Sequence, residues 1–524
     1  MEVPMNIARF LNRARRLYGS KPAIFDGDRI FTYGQMWSRV QRLSHALKDI
    51  GVGPGDRVAW LGYNNHPLLE GYFGVVQFGA ILVPLNIRLT VEDLKAIIED
   101  ADPKVLMFDS DFEATARQIQ NERELRLIEI RIEGSHQGYV GYEEFLAGAS
   151  SEADAADREL DENSVAELFY TSGTTGRPKG VALTHRNLFM NAMNVMATEP
   201  LSDETVMLHT IPLFHVNGWG APHYITALGA THIMLRKFVP RTVFGLIERH
   251  RVTHALMVPT MIGVLNLAPE KKEFNLESLT RVTIGGAPSP SSFVLETMEA
   301  LDVEYQGGYG LSETSPVVSS AAIKGTLRDR AREALNGWRG TAGIPLVGVE
   351  VSLVDDQDRE LEWDGVTPGE LRVRADTVMA GYWNKPDETA QVLKNGWLYT
   401  GDMAVIDGEG YIRIVDRKKD IIISGGENIA SVELEDALYH HPAVAEASVI
   451  GKPDPVWGEV PMAVVSLKPG MEVDPESLLK DTNARLAGFK RLKDLRIVRE
   501  LPKTGTGKIQ KNRVREEFGG PRAL

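Results

Sequence analysis

From Lys21 onward, short apolar runs alternate with stretches of helical periodicity. RVAWLGYN (Arg57–Asn64) reads as a strand, and GYFGVVQFGAILVPL (Gly71–Leu85) as a helix running into a strand. Thr90 to Asp93 fits a helix-opening capping box, with Leu94, Ile97 and Ile98 supplying the helix's apolar face. KVLMFD reads as another buried strand. Strands separated by helices are joined by crossovers, so the repetition predicts an α/β architecture with largely parallel sheets. At 524 residues the chain exceeds what one compact core holds, and at least two domains are expected.

The texture changes after about Asp402. IDGEGYIRIVD (Ile406–Asp416) reads as a hairpin, DRKKD (Asp416–Asp420) as a charged joint, and about a hundred residues beyond it carry their own strands and helices. A domain boundary is placed at Asp416–Asp420. SSEADAADRELDEN (Ser150–Asn163) reads as an acidic, exposed connector.

Charge and cysteine content narrow the function classes. Lys and Arg number 58 against 72 Asp and Glu, a formal charge of −14. An acidic surface repels nucleic-acid phosphates but leaves nucleotides open to local donors and a metal ion. With no cysteine, a disulfide, a thiolate metal site and a cysteine nucleophile are all impossible, so any thiol chemistry uses a thiol that the substrate brings. The N-terminal stretch has no uninterrupted apolar core of a secretory signal, and no run of about 18 apolar residues occurs. A cytoplasmic location without a membrane span is expected, with peripheral membrane contact left open.

YTSGTTGRPKG (Tyr170–Gly180) poses the chemical question. Five of its eleven residues carry a hydroxyl, three are glycine and two are cationic. Such a loop is either a solvated turn or a cradle for a polyphosphate. Apolar runs flank it on both sides, VAELF and VALT, which makes it a strand–loop–strand element. The spacing G-x-x-x-x-G-K-[ST] cannot be laid on Gly173–Gly180, which disfavours a P-loop phosphotransferase.

Further segments occur in order: GGAP (Gly285–Pro288), YGLSET (Tyr309–Thr314), YTGD (Tyr399–Asp402), DRKKD, SGGENI (Ser424–Ile429) and PKTGTGK (Pro502–Lys508). Together with the phosphate-loop sequence, they resemble the motifs of the adenylate-forming superfamily, which comprises acyl-CoA synthetases, peptide-synthetase adenylation domains and beetle luciferases. The resemblance spans essentially the whole chain. It implies a large N-terminal domain (residues 1–416) of Rossmann-like α/β sheets with a β-barrel-like subdomain, and a small mobile α+β C-terminal domain (417–524) hinged at 416–420.

It also implies residue roles. Thr171, Ser172, Gly173, Thr174, Thr175 and Lys179 would hold ATP phosphates. Gly285, Gly286, Ala287 and Pro288 on one side, and Gly307, Gly308, Tyr309 and Gly310 on the other, would frame adenine. Ser312, where the family usually has Thr, would contact the α-phosphate, and Glu313 would hold Mg²⁺. Asp402 and Arg417 would contact the ribose. His215 and Trp219 of HVNGW, with Tyr224, Val258 and Thr260, would line an acyl site, His215 beside the reacting carboxylate. Lys508 would sit at the carboxylate–phosphate junction, Lys419 at the hinge, and Gly425, Gly426 and Glu427 along the coenzyme A arm. Asn428 stands where several relatives carry Arg or Gln.

The expected activity is ATP-dependent conversion of a medium- or long-chain fatty acid to acyl-AMP and pyrophosphate, followed by thioester formation with coenzyme A. An aryl-CoA ligase and an acyl-AMP ligase loading a carrier protein are the alternatives. A homodimer is expected from the family.

Overall fold

A computed structural model describes residues 3–120, 125–130, 139–152, 160–171, 178–286, 289, 291–425, 427–503 and 509–519. The described chain forms two compact units, Met1–Glu350 with Val373–Leu398, and Val351–Arg372 with Tyr399–Leu524.

The first unit holds two large sheets. The eight-stranded sheet runs in the order Gly381–Tyr382, Lys179–Thr184, Val165–Thr171, Ile81–Pro84, Arg57–Leu61, Val105–Asp109, Arg126–Ile130, Val140–Gly141. Arg57–Leu61 lies parallel to both of its neighbours. Its Val58, Ala59, Trp60 and Leu61 are fully buried, as a run without polar alternation requires for a strand covered on both faces. The capping box read from Thr90 and Asp93 opens the helix Val91–Ala101: each residue's side chain accepts the other's N–H. Leu94, Ile97 and Ile98 face the core against Leu106 and Phe108.

The nine-stranded sheet runs Ile344–Pro345, Val317–Ser320, Glu304–Gly310, Arg281–Gly285, His254–Met257, Val206–His209, Thr231–Met234, Pro22–Asp26, Arg29–Thr32. The five strands from Glu304–Gly310 through Thr231–Met234 in this order are mutually parallel, so their C-terminal ends lie along one edge. The mixed α/β class expected from the alternating pattern is therefore the one observed.

In the second unit, Trp397–Ile406 and Ile412–Arg417 pair antiparallel, the hairpin read from IDGEGYIRIVD. A separate sheet is built on the long antiparallel pair Val444–Asp454 and Gly458–Leu467, with Asp494–Val498 added in parallel. The charged joint is fastened at both ends. Asp416 Oδ2 accepts the N–H and O–H of Ser431 at 2.7 and 2.6 Å, and Asp420 pairs with Arg515 at 3.0 Å. Among the described residues no helix is long and apolar enough to cross a membrane.

The first unit also buries histidines within its core. His209 Nε2 lies 2.9 Å from His232 Nδ1, and the two rings stack. Burial pulls His209 down to about 3 and His185 to about 4, from an ordinary 6.5. An unfolded chain binds protons at these positions below pH 6.5, whereas the folded chain does not until about pH 4 or lower. Stability must therefore fall as pH drops through that window, by roughly 1–2 kcal/mol per histidine between pH 7 and pH 5. Denaturant titrations should show a lower midpoint at pH 5 than at pH 7. His209→Gln should flatten that dependence, and an unchanged slope in the variant would remove the histidine from the account.

Candidate active site

Thr171 and Lys179 are register partners at the mouth of the hairpin formed by Val165–Thr171 and Lys179–Thr184. Ser172, Gly173, Thr174 and Thr175 lie outside the described residues. Gly180 has no room for a side chain: a Cβ would sit 2.9 Å from Tyr170 Cζ and 3.2 Å from Trp383 Cβ. The short strand Gly381–Tyr382 pairs with this hairpin at Ala182 and Val181. That register carries Tyr382 to Lys179, whose Nζ stands 5.3 Å from the ring centroid, within cation–π range. The Tyr382 hydroxyl donates to Glu313 Oε1 at 2.8 Å, and the Glu313 carbonyl accepts the Met379 N–H. Lys179, Tyr382 and Glu313 are thus brought together from three distant segments. Sequence motifs single out the two charged members and pass over the tyrosine, whose one signal is an aromatic immediately after Gly381.

At the edge of the nine-stranded sheet, Gly285 and Gly308 are register partners. Gly286 adopts φ 88°, open to glycine and strained for other residues, while Ala287 and Pro288 lie outside the described residues. Two glycines of the next strand have a packing reason beyond any ligand. A Cβ on Gly307 would strike the carbonyl oxygen of Thr341, and one on Gly310 that of Pro316. Tyr309 is half-buried, and Ser312 is half-buried at the head of the turn Ser312–Thr314, one residue before Glu313.

HVNGW forms an unusual element. Val216, Asn217, Gly218, Trp219 and Gly220 all take positive φ, at 34°, 41°, 51°, 62° and 79°. This is a left-handed turn, which costs roughly 1–2 kcal/mol for each non-glycine residue. Its main chain closes through Gly218 N–H to His215 C=O and Gly220 N–H to Asn217 C=O, both at 3.1 Å. The turn presents Trp219 to the glycine-lined edge, where a Cβ on Gly285 would lie 3.0 Å from Trp219 Cη2. His215, half-buried, opens the turn. Tyr224 is buried in the helix Ala221–Leu228, and burial raises its hydroxyl pKa far above the ordinary tyrosine range. Val258 is buried at the end of the strand His254–Met257, whereas Thr260 is exposed.

In the second unit, Asp402 and Arg417 face each other across the hairpin, Nε to Oδ1 at 2.6 Å, with the carboxylate almost fully buried. Lys419 is exposed, while its neighbour Lys418 is held by Asp356 and Glu370, each at 3.0 Å. Gly425, at φ 61°, donates its N–H to the Trp457 carbonyl at 2.8 Å, and Glu427 is exposed on the adjoining strand. Gly426 and Lys508 lie outside the described residues. The chain on either side of the Lys508 segment is tied: Lys503 and Ile509 form an antiparallel bridge, and Lys503 pairs with Glu446 at 2.8 Å. Among the described residues no cluster of three or more His, Asp or Glu is placed to hold a metal ion.

The hairpin strands that bracket the glycine- and hydroxyl-rich sequence thus carry a lysine linked through Tyr382 to an oriented carboxylate, on an α/β scaffold. Comparison with known proteins identifies the family. The family of AMP-binding enzymes matches residues 11–383, and the AMP-binding enzyme C-terminal domain matches residues 433–508. The chain belongs to the AMP-binding enzyme family. It is 38% identical over 516 residues to a feruloyl-CoA synthase from an Amycolatopsis species, covering 97% of this chain and 98% of that one. It is 36% identical to a long-chain-fatty-acid–CoA ligase from Thermus thermophilus, covering 99% and 96%. The crystal structure of the anthranilate CoA ligase AuaEII in complex with anthranoyl-AMP matches with a TM-score of 0.89 at 26% identity, covering 99% and 98%. The protein is an AMP-forming acyl-CoA ligase, which activates an acid as acyl-AMP and then passes it to coenzyme A.

The Tyr382–Glu313 hydrogen bond yields a direct test. A bond to a charged group contributes about 1.5–3 kcal/mol. Tyr382→Phe should therefore slow acid-dependent pyrophosphate release about ten- to a hundredfold while the thermal midpoint stays close to wild type. Wild-type rates in the variant would show that Glu313 needs no such orientation.

Proposed function

We propose that the acid is a planar arylpropenoic acid of the hydroxycinnamate kind, converted to its coenzyme A thioester. The observation that carries this reading is the Trp219 indole edge set against the bare backbone of Gly285. The indole packs in contact with that glycine, where a larger residue would collide, and a flat aromatic wall held in this way favours a planar acyl group over a flexible chain. Relatives support it: the feruloyl-CoA synthase, and a trans-cinnamate:CoA ligase from Petunia hybrida at 32% identity over 538 residues. A medium- or long-chain fatty acid is the second reading. It is favoured by HVNGW, in which Trp219 resembles a tunnel gate, and by the Thermus relative.

The chemistry proceeds in two displacements. A carboxylate oxygen attacks the α-phosphorus of ATP, forming the acyl–phosphate bond and expelling pyrophosphate. The coenzyme A thiol then attacks the acyl carbon, AMP leaves, and the thiol proton is released. No cysteine exists to form an enzyme thioester, so the sulfur is coenzyme A's own.

On this reading Thr171 to Thr175 and Lys179 hold the phosphates, and Ser312 contacts the α-phosphate. Glu313, oriented by Tyr382, is the hard oxygen donor suited to Mg²⁺, which supplies charge neutralisation on the polyphosphate. Gly285 to Pro288 and Gly307 to Gly310 frame the adenine. Asp402, with Arg417 already on one oxygen, accepts from the ribose hydroxyls. Lys508 offsets the charge of two anions meeting at the junction. Gly425, Gly426 and Glu427 pass the pantetheine arm.

We also propose that the C-terminal domain begins at the joint 416–420 and turns there between the two half-reactions. Successive residues of the joint are gripped by different elements: Asp416 by Ser431 at the start of the helix Ser431–Tyr439, and Arg417 by Asp402 of the preceding hairpin. A pivot confined to Arg417–Lys419 places its dihedral changes on exposed residues.

Two measurements test this function. Across C2–C18 acids, benzoates and cinnamates, kcat/KM for coenzyme A-dependent AMP formation should peak at the cinnamates, and a maximum at C8–C16 would select the second reading. Lys508→Ala should lower acyl-AMP formation about a hundredfold or more, the scale of losing a charge-stabilising donor, while preformed acyl-AMP still yields thioester. Equal loss in both half-reactions would remove Lys508 from the first step.

A further inference from the structure

Glu167 lies four residues before Thr171, on the strand that leads into the phosphate loop, and it is fully buried. It stands at a central position of the eight-stranded sheet, where Leu82 is its parallel register partner. A carboxylate there is costly unless charge or hydrogen-bond partners meet it, and none of the roles assigned above uses it. Its partners are two buried side chains. Asn217 Nδ2 donates to Glu167 Oε2 at 3.0 Å, and His223 Nε2 lies 3.2 Å from Glu167 Oε1. The same Asn217 amide reaches His223 Nδ1 at 3.5 Å. The His223–Glu167 approach is a close contact that falls short of hydrogen-bond alignment, so the aligned bond to Glu167 is Asn217's. Tyr72 and Phe73 wall the imidazole edge-on, with centroids 5.9 Å away in each case.

What this cluster grips is the left-handed turn. Asn217 is the turn's second residue, and its side chain is completely buried. The two glycines of the turn are closely packed: a Cβ on Gly218 would lie 3.0 Å from Leu213 Cδ2, and one on Gly220 2.5 Å from Asn191 Nδ2. Val216 and Trp219 have no such freedom of backbone, and a β-branched residue at positive φ is an outlier that surrounding structure must hold in place. The anchor therefore acts at the residue between the strained Val216 and the indole of Trp219.

We propose that Glu167, seconded by His223, is a positioning residue for the acid site: by holding Asn217 it keeps the left-handed turn wound and so fixes Trp219 against Gly285 and His215 at the turn's head. The inference rests on the reading of Trp219 and His215 as acyl-site residues. It ties that site to the strand that carries the phosphate loop. Glu167 does not touch the substrate; it sets where the acid wall stands.

Steady-state kinetics on the full-length enzyme test it, with the acid that gives the wild type its best kcat/KM, and with folding checked by circular dichroism. Glu167→Ala should raise KM for the acid about tenfold while KM for ATP stays within twofold, and Glu167→Gln, which can still accept from Asn217, should recover much of the loss. Glycine tolerates positive φ without an anchor, so Asn217→Gly added to Glu167→Ala should bring the acid KM back toward wild type. Parallel changes in both KM values, or a double variant as impaired as the single one, would reduce the cluster to fold stability and overturn the proposal. If Glu167→Ala does not fold, Glu167→Gln and Glu167→Gln/Asn217→Gly carry the same comparison, with an acid KM raised about threefold in the first and restored in the second. A wild type that releases pyrophosphate with no acid of the panel would overturn the functional reading itself, a result distinct from any of these.

Discussion

Parallel strands deliver all their C-terminal ends to one edge of a sheet, and that geometric fact organises the first unit. Arg281–Gly285 and Glu304–Gly310 run side by side and finish in glycines that face each other in register. Backbone stripped of side chains is the surface that a flat base or a planar acid can approach most closely. The same edge receives the Trp219 turn, because the strand Val206–His209 belongs to the parallel set and the chain leaves it toward that side. An antiparallel arrangement of these strands would have scattered the glycines over two opposite edges.

Close approach explains why glycine content here is not simply a ligand signature. Gly307 and Gly310 are required by the carbonyls of Thr341 and Pro316, and Gly180 by Tyr170 and Trp383. These contacts bring neighbouring segments near enough to share a site, so the packing requirement and the functional one coincide. The charge balance obeys a similar logic. In a chain of net −14, Lys179 is held over the Tyr382 ring and Arg417 on Asp402, and on the proposed reading such placed cations are what meets anionic substrates. A net negative field offers an anion little attraction, so any such site must rely on local groups.

Elements whose signal is local are legible in the sequence. The Thr90–Asp93 capping box, the strand Arg57–Leu61, the hairpin ending at Arg417 and the strand–loop–strand setting of YTSGTTGRPKG each depend on residues within a dozen positions of one another. Contacts set by sheet register are not. Tyr382 and Glu313 are 69 residues apart, and they are brought together by the pairing of Gly381–Tyr382 with the phosphate-loop hairpin and by the bonds of Met379 N–H to Glu313 and of the Ser315 hydroxyl to Thr377. The two residues proposed for the ribose, Asp402 and Arg417, look like separate contacts in the sequence and prove to be each other's ion-pair partners, a consequence of cross-strand register. Among the residues chosen for the acyl site, a buried Tyr224 and an exposed Thr260 show how little residue type alone says about which side chains face a cavity.

The left-handed turn has a partial signal, since Asn217-Gly218 with Gly220 two positions on is a turn-forming sequence. What the sequence does not convey is that Val216 and Trp219 join it, because positive φ at those residues is locally unfavourable and only tertiary contacts sustain it. Strain of that kind persists where the surroundings over-determine it, and here they do: glycines packed without clearance on one side, and a buried amide–carboxylate–imidazole cluster on the other. A right-handed turn of the same five residues would relieve Val216 and Trp219. It would also break the Asn217–Glu167 bond, leave a buried carboxyl group with His223 alone beside it, and carry the indole away from Gly285. The cost of the strained backbone is thus set against the cost of leaving a buried polar group without its partner, and the two are of the same order, a few kcal/mol each.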